Sequence, residues 1–147
     1  QNLLADERSW SMALAEADFI FHMSAFWTKA VWIFKKSARP EPRSAMHWLH
    51  LISVQHTYAM LAEEARLAGR APRPEARKAE QWLDARRMQQ TAMATGVEQT
   101  LLARALLAEL ALFEDVCRSV AGSRGFSLPD YTAVAAWLRA ELTKLTG

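Results

Sequence analysis

The sequence predicts an all-α protein, built as an antiparallel bundle of four to five helices around a nearly all-apolar first helix. Three observations predict this fold. No stretch alternates between apolar and polar residues with a period of two, as a strand would. Proline and glycine divide the chain into long segments joined by short turns. Finally, residues 17–34 carry apolar groups around most of a helical circumference, which is typical of a buried helix.

The first helix has one narrow polar stripe. Its strongly polar members Asp18, His22 and Lys29 fall within about 40° of each other on a helical wheel. The remaining surface is apolar, so we expect other helices or a second copy of the chain to cover it. The pattern therefore predicts a homodimer that shares this helix. The residues expected at that interface are Phe19, Phe26 and Trp32.

Breaks in the sequence set the expected helix boundaries. The predicted helices span residues 6–36, 44–68, 75–95, 97–121 and 128–145. The first ends before Pro40, and the second ends at Gly69, a natural left-handed C-cap. The third and fourth could be continuous through Gly96, although Thr95 and Glu98 have the spacing of a capping box. Residues 1–147 are expected to form a single domain.

Composition narrows the class of protein. A length of 147 residues with 51% hydrophobic and 23% charged residues favours a globular chain over a disordered one. The net charge of +2 is not by itself a nucleic-acid signature. The single cysteine, Cys117, excludes an internal disulfide and favours a reducing cytoplasm. No signal-peptide pattern opens the chain, and the apolar run of the first helix is too interrupted for a membrane span.

Four histidines invite a test for a metal or haem site. Metal sites in helical bundles use Glu-x-x-His or His-Glu-x-x-His spacing, which places the ligands on one helical face, and neither motif occurs. His47, His50 and His56 point in different directions on the wheel of the second helix, while His22 can pair with Asp18. We therefore expect no metal and no cofactor.

Glu109 is the polar residue most in need of an explanation. It lies within the apolar face of the fourth helix, where a carboxylate must be paired, neutral or next to a cavity. In an up-and-down bundle it falls near the level of His56. A contact between the two could serve as an acid–base pair, a polar anchor in a ligand pocket, or simply a structural hydrogen bond. The residues expected around such a pocket are Phe26, Trp27, His56, Tyr58, Glu109 and Phe113.

Basic residues surround the first two turns of the predicted bundle. In an up-and-down arrangement these turns lie at opposite ends, about 36 Å apart for helices of this length. Two solvated helix ends explain them more simply than one nucleic-acid surface, because the helix dipole favours cations at C-termini. If nucleic acid is bound, the contact candidates are Arg70, Arg73, Arg77, Arg86 and Arg87.

These observations favour a non-enzymatic helical interaction module. It would be a homodimer through the first helix and would present the third helix and the basic turns to another protein. No Gly-rich phosphate loop, Gly-x-Ser-x-Gly or Cys-x-x-Cys motif occurs, so no catalytic residue is assigned and an enzyme ranks last. The first alternative is a sensor or regulator that binds a small apolar molecule near Glu109 and His56. The second is nucleic-acid binding through the basic turns.

Overall fold

The computed structural model describes residues 13–92 and 95–147, which contain helices and no strand, so the predicted all-α class is confirmed. The α-helices are α1 (Glu16–Ala38), α2 (Pro42–Ile52), α3 (Tyr58–Leu67), α4 (Ala79–Trp82), α5 (Ala85–Thr91), α6 (Gln99–Arg124) and α7 (Thr132–Leu145). A π-helical turn, Ser53–Thr57, joins α2 to α3, and a 3₁₀ turn, Pro74–Ala76, precedes α4. None of these helices is long and apolar enough to cross a membrane.

Local sequence signals account for the ends of the first helices. Acidic side chains in the first turn of α1 and basic ones in its last turn complement the helix dipole. Pro42 occupies the first turn of α2, where its missing N–H costs no hydrogen bond. Gly69 follows α3 with φ of +81°, the left-handed conformation that the sequence predicts. Residues 6–12, expected to begin the first helix, lie outside the described residues, and 13–15 are not helical.

The last two helices differ from expectation at their ends. The fourth predicted helix was expected to end at residue 121, but α6 continues through Gly122 and ends at Gly125, whose φ is +69°. An internal glycine costs a helix only about 1 kcal/mol, so packing on both sides of it can carry the helix onward. The last helix starts at Thr132 rather than 128. The carboxylate of Asp130 accepts the Thr132 N–H and holds the preceding turn.

The third predicted helix, 75–95, is wrong. The described part of this stretch is a crossover of short helical pieces, in which Leu83 is extended with φ −78° and ψ 144°. Asp84 then starts a new helix by accepting the N–H of Arg87. Glu75 and Lys78 have positive φ, which no helix tolerates. The physical reason is that this stretch has few large apolar residues, so a long helix would have no continuous stripe to bury.

The core forms where α1 meets α6. The rings of Phe26 and Phe113 stack with centroids 3.7 Å apart, and Trp27 meets both rings edge-on. Towards one end of this pair of helices, Arg124 of α6 bonds the carbonyl of Leu14. Helix α1 also packs against α2, the π turn and α7, and α6 packs against all three of these and also against α3 and α5.

One face of α1 nevertheless remains exposed. Phe19 and Phe26 are completely buried inside a single chain, so neither lies on a surface that a second copy could reach. In contrast Ile20, Phe21 and Trp32 are 42%, 62% and 51% exposed. The expectation that the whole circumference of this helix is covered therefore fails for the described chain alone, and Trp32 is the one expected interface residue that is exposed.

Arg87 holds the crossover against the rest of the fold. Its side chain is buried and makes a bidentate pair with Glu64 of α3, with both distances 2.8 Å. It also donates to Asp115 of α6 at 2.6 Å. Arg86 donates to the same Asp115 oxygen but is mostly exposed. One guanidinium thus joins three elements that are distant in sequence.

We predict that Arg87→Ala lowers the free energy of unfolding by about 3 kcal/mol, because it leaves the partly buried Glu64 carboxylate without its cation and leaves Asp115 with Arg86 alone. Arg86→Ala is the matched control and should cost at most about 1 kcal/mol, since its side chain is solvated. Urea denaturation of both variants provides the measurement. Equal losses for the two variants would contradict the anchoring role of Arg87.

Candidate functional site

A chain of three polar side chains crosses the contact between α1 and the π turn. Lys29 Nζ lies 3.0 Å from Nε2 of His56, and Nδ1 of His56 lies 2.9 Å from Nδ1 of His22. Lys29 Nζ also donates to Gln55 at 3.2 Å. His56 is buried, whereas His22 and Lys29 are half-buried. The polar stripe predicted on the first helix therefore faces the π turn through His22 and Lys29, while Asp18 is exposed.

The π turn explains why His56 reaches this position. A π turn inserts one residue into a helix and changes which side chains face inward. Within this turn Ser53, His56 and Thr57 are all buried. A regular helical wheel placed His56 on a flank of the second helix, but His56 is buried in the structure. The residue inserted by the π turn accounts for this change of direction. Such insertions are frequent at functional sites.

The hydrogen-bond chain determines the tautomer of each imidazole. A charged Lys29 has only donors, so Nε2 of His56 must accept and Nδ1 of His56 must carry the proton. Nδ1 of His56 then donates to Nδ1 of His22. A neutral His22 therefore carries its proton on Nε2, and this N–H is the donor that it can offer to a ligand.

Both imidazoles are held in the neutral form. Burial is the largest cause that lowers the pKa of His56, to about 4, and the charges of Lys29 and His22 add to it. Burial also lowers the pKa of His22, opposed by Asp18 and assisted by Lys29. Two neutral imidazoles linked to one ammonium group form a relay that can pass a proton without requiring a second buried charge.

His22 also lines a cavity of about 760 Å³, which we call the α1–α2 cavity. Its walls come from the residues before α1, from α1 itself and from α2, the π turn and α3, with Glu75 of the 3₁₀ turn. The lining residues are Ala13, Leu14, Ala15, Asp18, His22, Leu51, Val54, Gln55, Ala59, Ala62, Glu63 and Glu75. A mostly apolar cavity of this size with a few polar groups is typical of a small-molecule site.

A buried carboxylate stabilises one side of the cavity. Glu63 accepts from Arg66 at 2.6 and 2.8 Å, from Arg124 at 2.6 Å and from the Leu14 N–H at 3.1 Å. Burial alone would raise the pKa of Glu63, but these hydrogen bonds outweigh it and lower the pKa. Glu63 is therefore ionised and fully engaged by protein donors, which makes it a wall of the cavity rather than an available base.

Glu109 is buried, but its hydrogen bonds do not go to His56. The Thr57 hydroxyl donates to Glu109 Oε1 at 2.5 Å, and Ser53 hydrogen-bonds the same carboxyl group. Burial raises the pKa of Glu109, and the two hydroxyl groups partly offset the rise. The expected pairing of Glu109 with His56 is thus corrected: both contact the π turn region, but His56 belongs to the histidine chain and Glu109 ties the turn to α6.

The six residues expected around one pocket do not line a common pocket. Phe26 and Phe113 stack in the core. Trp27 and Phe113 line a second cavity of about 530 Å³, beside Cys117 and Tyr131. Tyr58 meets Trp82 of the crossover edge-on. His56 is part of the π turn, and Glu109 of α6 accepts a hydrogen bond from Thr57 of the same turn. Burial raises the pKa of the Cys117 thiol, which makes it a poor nucleophile.

The five arginines expected to contact nucleic acid are largely engaged within the chain. They are Arg70, Arg73, Arg77, Arg86 and Arg87. Arg86 and Arg87 bond carboxylates of α3 and α6, and Arg70 donates to a backbone carbonyl of α4 at 3.2 Å. Cations already paired with protein carboxylates contribute little to phosphate binding. In the described residues no group of three or more His, Cys, Asp or Glu side chains could hold a metal ion.

Sequence reasoning missed the link between His22 and His56. The polar stripe on the first helix was a correct signal that its polar residues share a face. The partner was missed because nothing in the sequence around residues 53–57 marks a π turn.

The chain matches no protein-family model, and no curated protein or solved structure is significantly similar to it.

We predict that Lys29→Met raises the pKa of His56 from about 4 towards its ordinary value of 6.5, because it removes one of the charges that disfavour imidazolium. In the parent protein the unfolded chain binds more protons than the folded one between those two pH values. Stability should therefore fall as the pH drops through this window.

Two-dimensional NMR of the histidine ring carbons against pH measures this pKa directly. Lys35→Met, an exposed change on the same helix, is the control and should leave the His56 titration in place. A His56 pKa near 6.5 in the parent protein would contradict the buried neutral relay.

Proposed function

We propose that this protein binds a small, mostly apolar molecule in the α1–α2 cavity, in the manner of a sensor or regulator. The observation that carries the proposal is the Lys29–His56–His22 chain, which ends at a residue of the cavity wall. Apolar side chains such as Leu14, Leu51 and Val54 would contact the body of the ligand. The Nε2–H of His22 would bond an acceptor group of the ligand and fix its orientation.

The charges of the lining favour a neutral or cationic ligand. Asp18, Glu63 and Glu75 are the charged residues of the lining, and all three are acidic. Glu63 is compensated by Arg66 and Arg124, but the other two are exposed and add negative potential at the mouth. A carboxylate ligand would be repelled there. The ligand that fits best is a neutral or amine-bearing molecule with one hydrogen-bond acceptor.

We infer that the long helices form one antiparallel bundle in a single domain, which would keep the cavity preformed. Two sets of contacts support opposite directions for α1 and its neighbours. His22 and Lys29 of α1 contact His56, while Trp32 further along α1 contacts Trp48, which precedes His56 in the chain. The two segments therefore run in opposite directions. Likewise Gln99 bonds Ser37 at one end of α6 and Arg124 bonds Leu14 at the other.

We predict that neutral and amine-bearing aromatic amides stabilise the protein against heat, whereas carboxylates of matched size do not. Saturating a site at 100 times the dissociation constant adds about 2.7 kcal/mol to the free energy of unfolding. His22→Leu removes the hydrogen-bond donor at nearly constant side-chain volume. About ten times more ligand should then be needed for the same stabilisation, which is the effect of one lost hydrogen bond.

His50→Leu, an exposed histidine change on α2, is the matched control and should respond as the parent does. Native mass spectrometry of the purified protein adds a direct readout, since a retained ligand appears as extra mass. A panel in which no amide stabilises the parent, or in which His22→Leu and the parent respond equally, would rule out this site.

The homodimer remains a second candidate, supported by the exposed face of α1. Between Ile20 and Trp32 this face carries Phe21, Ser24 and Thr28 and no charged residue. Uncharged exposed faces with large apolar side chains are characteristic of interfaces, and the small residues at its middle would let a second helix approach closely. We propose that a second copy of the chain would pack on the Ile20–Phe21 end of the face.

We predict that the double substitution Ile20→Ser and Phe21→Ser shifts the protein towards the monomer in sedimentation equilibrium, because both side chains are exposed in the single chain and their loss leaves the core intact. Leu67→Ser, an exposed apolar residue of α3, is the control. A parent protein that sediments at the mass of one chain at high concentration would end this candidate.

A further inference from the structure

Two tryptophans and three cations converge at the end of α1. Trp32 and Trp48 meet edge-on with ring centroids 6.3 Å apart, and beside them lie Lys35, Lys36 and Arg39. These five residues line a shallow cavity of about 430 Å³, which we call the Trp32–Trp48 corner. Trp32 is 51% exposed, so about half of its surface is open to a ligand. The corner is separate from the α1–α2 cavity and shares no lining residue with it.

The charge of the corner has one sign. Its lining holds three cations and no acidic residue. This distinguishes it from the expected nucleic-acid contacts on the crossover, where Arg86 and Arg87 are bonded to carboxylates of the same chain. An exposed cluster of cations on one side of an exposed aromatic ring favours a ligand that joins an anion to a flat ring.

We propose that the Trp32–Trp48 corner binds single-stranded nucleic acid. One base would stack on the indole of Trp32, and the neighbouring phosphates would pair with Lys35, Lys36 and Arg39. Stacking on an aromatic side chain combined with a basic surface is how proteins bind single strands without reading their sequence.

The geometry favours a single strand over a duplex. A base can stack on Trp32 only when it has left its own stack, which a single strand allows at little cost. The edge-on contact with Trp48 holds the Trp32 ring, so it need not be ordered on binding. An open, shallow site also suits a chain that enters and leaves along the surface rather than a free molecule that must be enclosed.

The test is fluorescence anisotropy of a labelled oligothymidylate of about 12 nucleotides, a length within the range of single-strand sites, titrated with the full chain. Trp32→Ala should weaken binding between about 5- and 150-fold, the value of one stacked base. Trp137→Ala is the matched control, since Trp137 is 44% exposed but lies on α7, outside the corner. Circular dichroism of each variant confirms that the fold is retained.

Salt dependence tests the cations separately. Three phosphate contacts predict a slope of about −2 in a plot of log affinity against log salt. Replacing Lys35, Lys36 and Arg39 by Gln should bring the slope close to zero. A charge-matched control replaces three exposed cations elsewhere, Lys78, Arg104 and Lys144, by Gln and should keep most of the slope.

Several outcomes would overturn the proposal. They are no binding of the oligonucleotide at low salt, equal binding by Trp32→Ala and the parent, and a salt slope that the corner substitutions leave in place. If thymidine monophosphate displaces the labelled oligonucleotide as well as unlabelled oligonucleotide does at the same nucleotide concentration, the corner would be assigned to free nucleotides instead. Binding of anionic phosphatidylserine vesicles through Trp32 without binding of the oligonucleotide would assign it to a membrane surface.

Discussion

The constraint on which the described structure depends is that the polar stripe of α1 must be satisfied inside an otherwise apolar helix packing. Lys29 and His22 are half-buried where α1 meets the π turn, and a fully buried polar group without a partner would cost roughly 1–3 kcal/mol. The π turn meets this requirement by bringing His56 between them. The same inserted residue places Ser53 and Thr57 on the carboxyl group of Glu109 and so ties α6 to the turn. One local irregularity therefore satisfies polar groups on two helices at once.

The crossover is held in place by specific polar and aromatic contacts rather than by a buried apolar stripe. Lacking a continuous apolar stripe, it gains its order from specific contacts: Arg87 with Glu64 and Asp115, and Trp82, whose indole N–H bonds the carbonyl of Arg77. Such contacts fix short pieces of chain without requiring a long helix. Glu75 and Lys78 accept the left-handed conformation there, and Glu75 lies at the wall of the α1–α2 cavity. Strained residues of this kind are found disproportionately near binding sites.

The sequence predicted the helical class, four of the five helical segments and the left-handed Gly69, because periodicity, proline and glycine act locally. It failed for residues 75–95, where helix-forming residues lacked a stripe to bury, and a tertiary contact through Arg87 decided the outcome. For the site, the stripe of His22 and Lys29 and the position of Glu109 within an apolar helical face were readable from spacing, whereas the burial of Glu109 was not. Their partners were not, since a π turn shifts every later side chain by one position and leaves no signature in the sequence. The convergence of Trp32 and Trp48 depends on how α1 and α2 face each other, which spacing on a single helix does not contain.

If a ligand occupies the α1–α2 cavity as proposed, the paired imidazoles would respond to its hydrogen-bonding groups. A ligand that accepts from His22 leaves every proton of the chain in place. A ligand that donates to Nε2 of His22 forces the proton of that ring onto Nδ1, the proton of His56 onto Nε2, and so removes the acceptor of Lys29. The ammonium group then turns towards Gln55 and the solvent. Whether a bound molecule donates or accepts at His22 would thereby decide whether Lys29 keeps its hydrogen bond to His56.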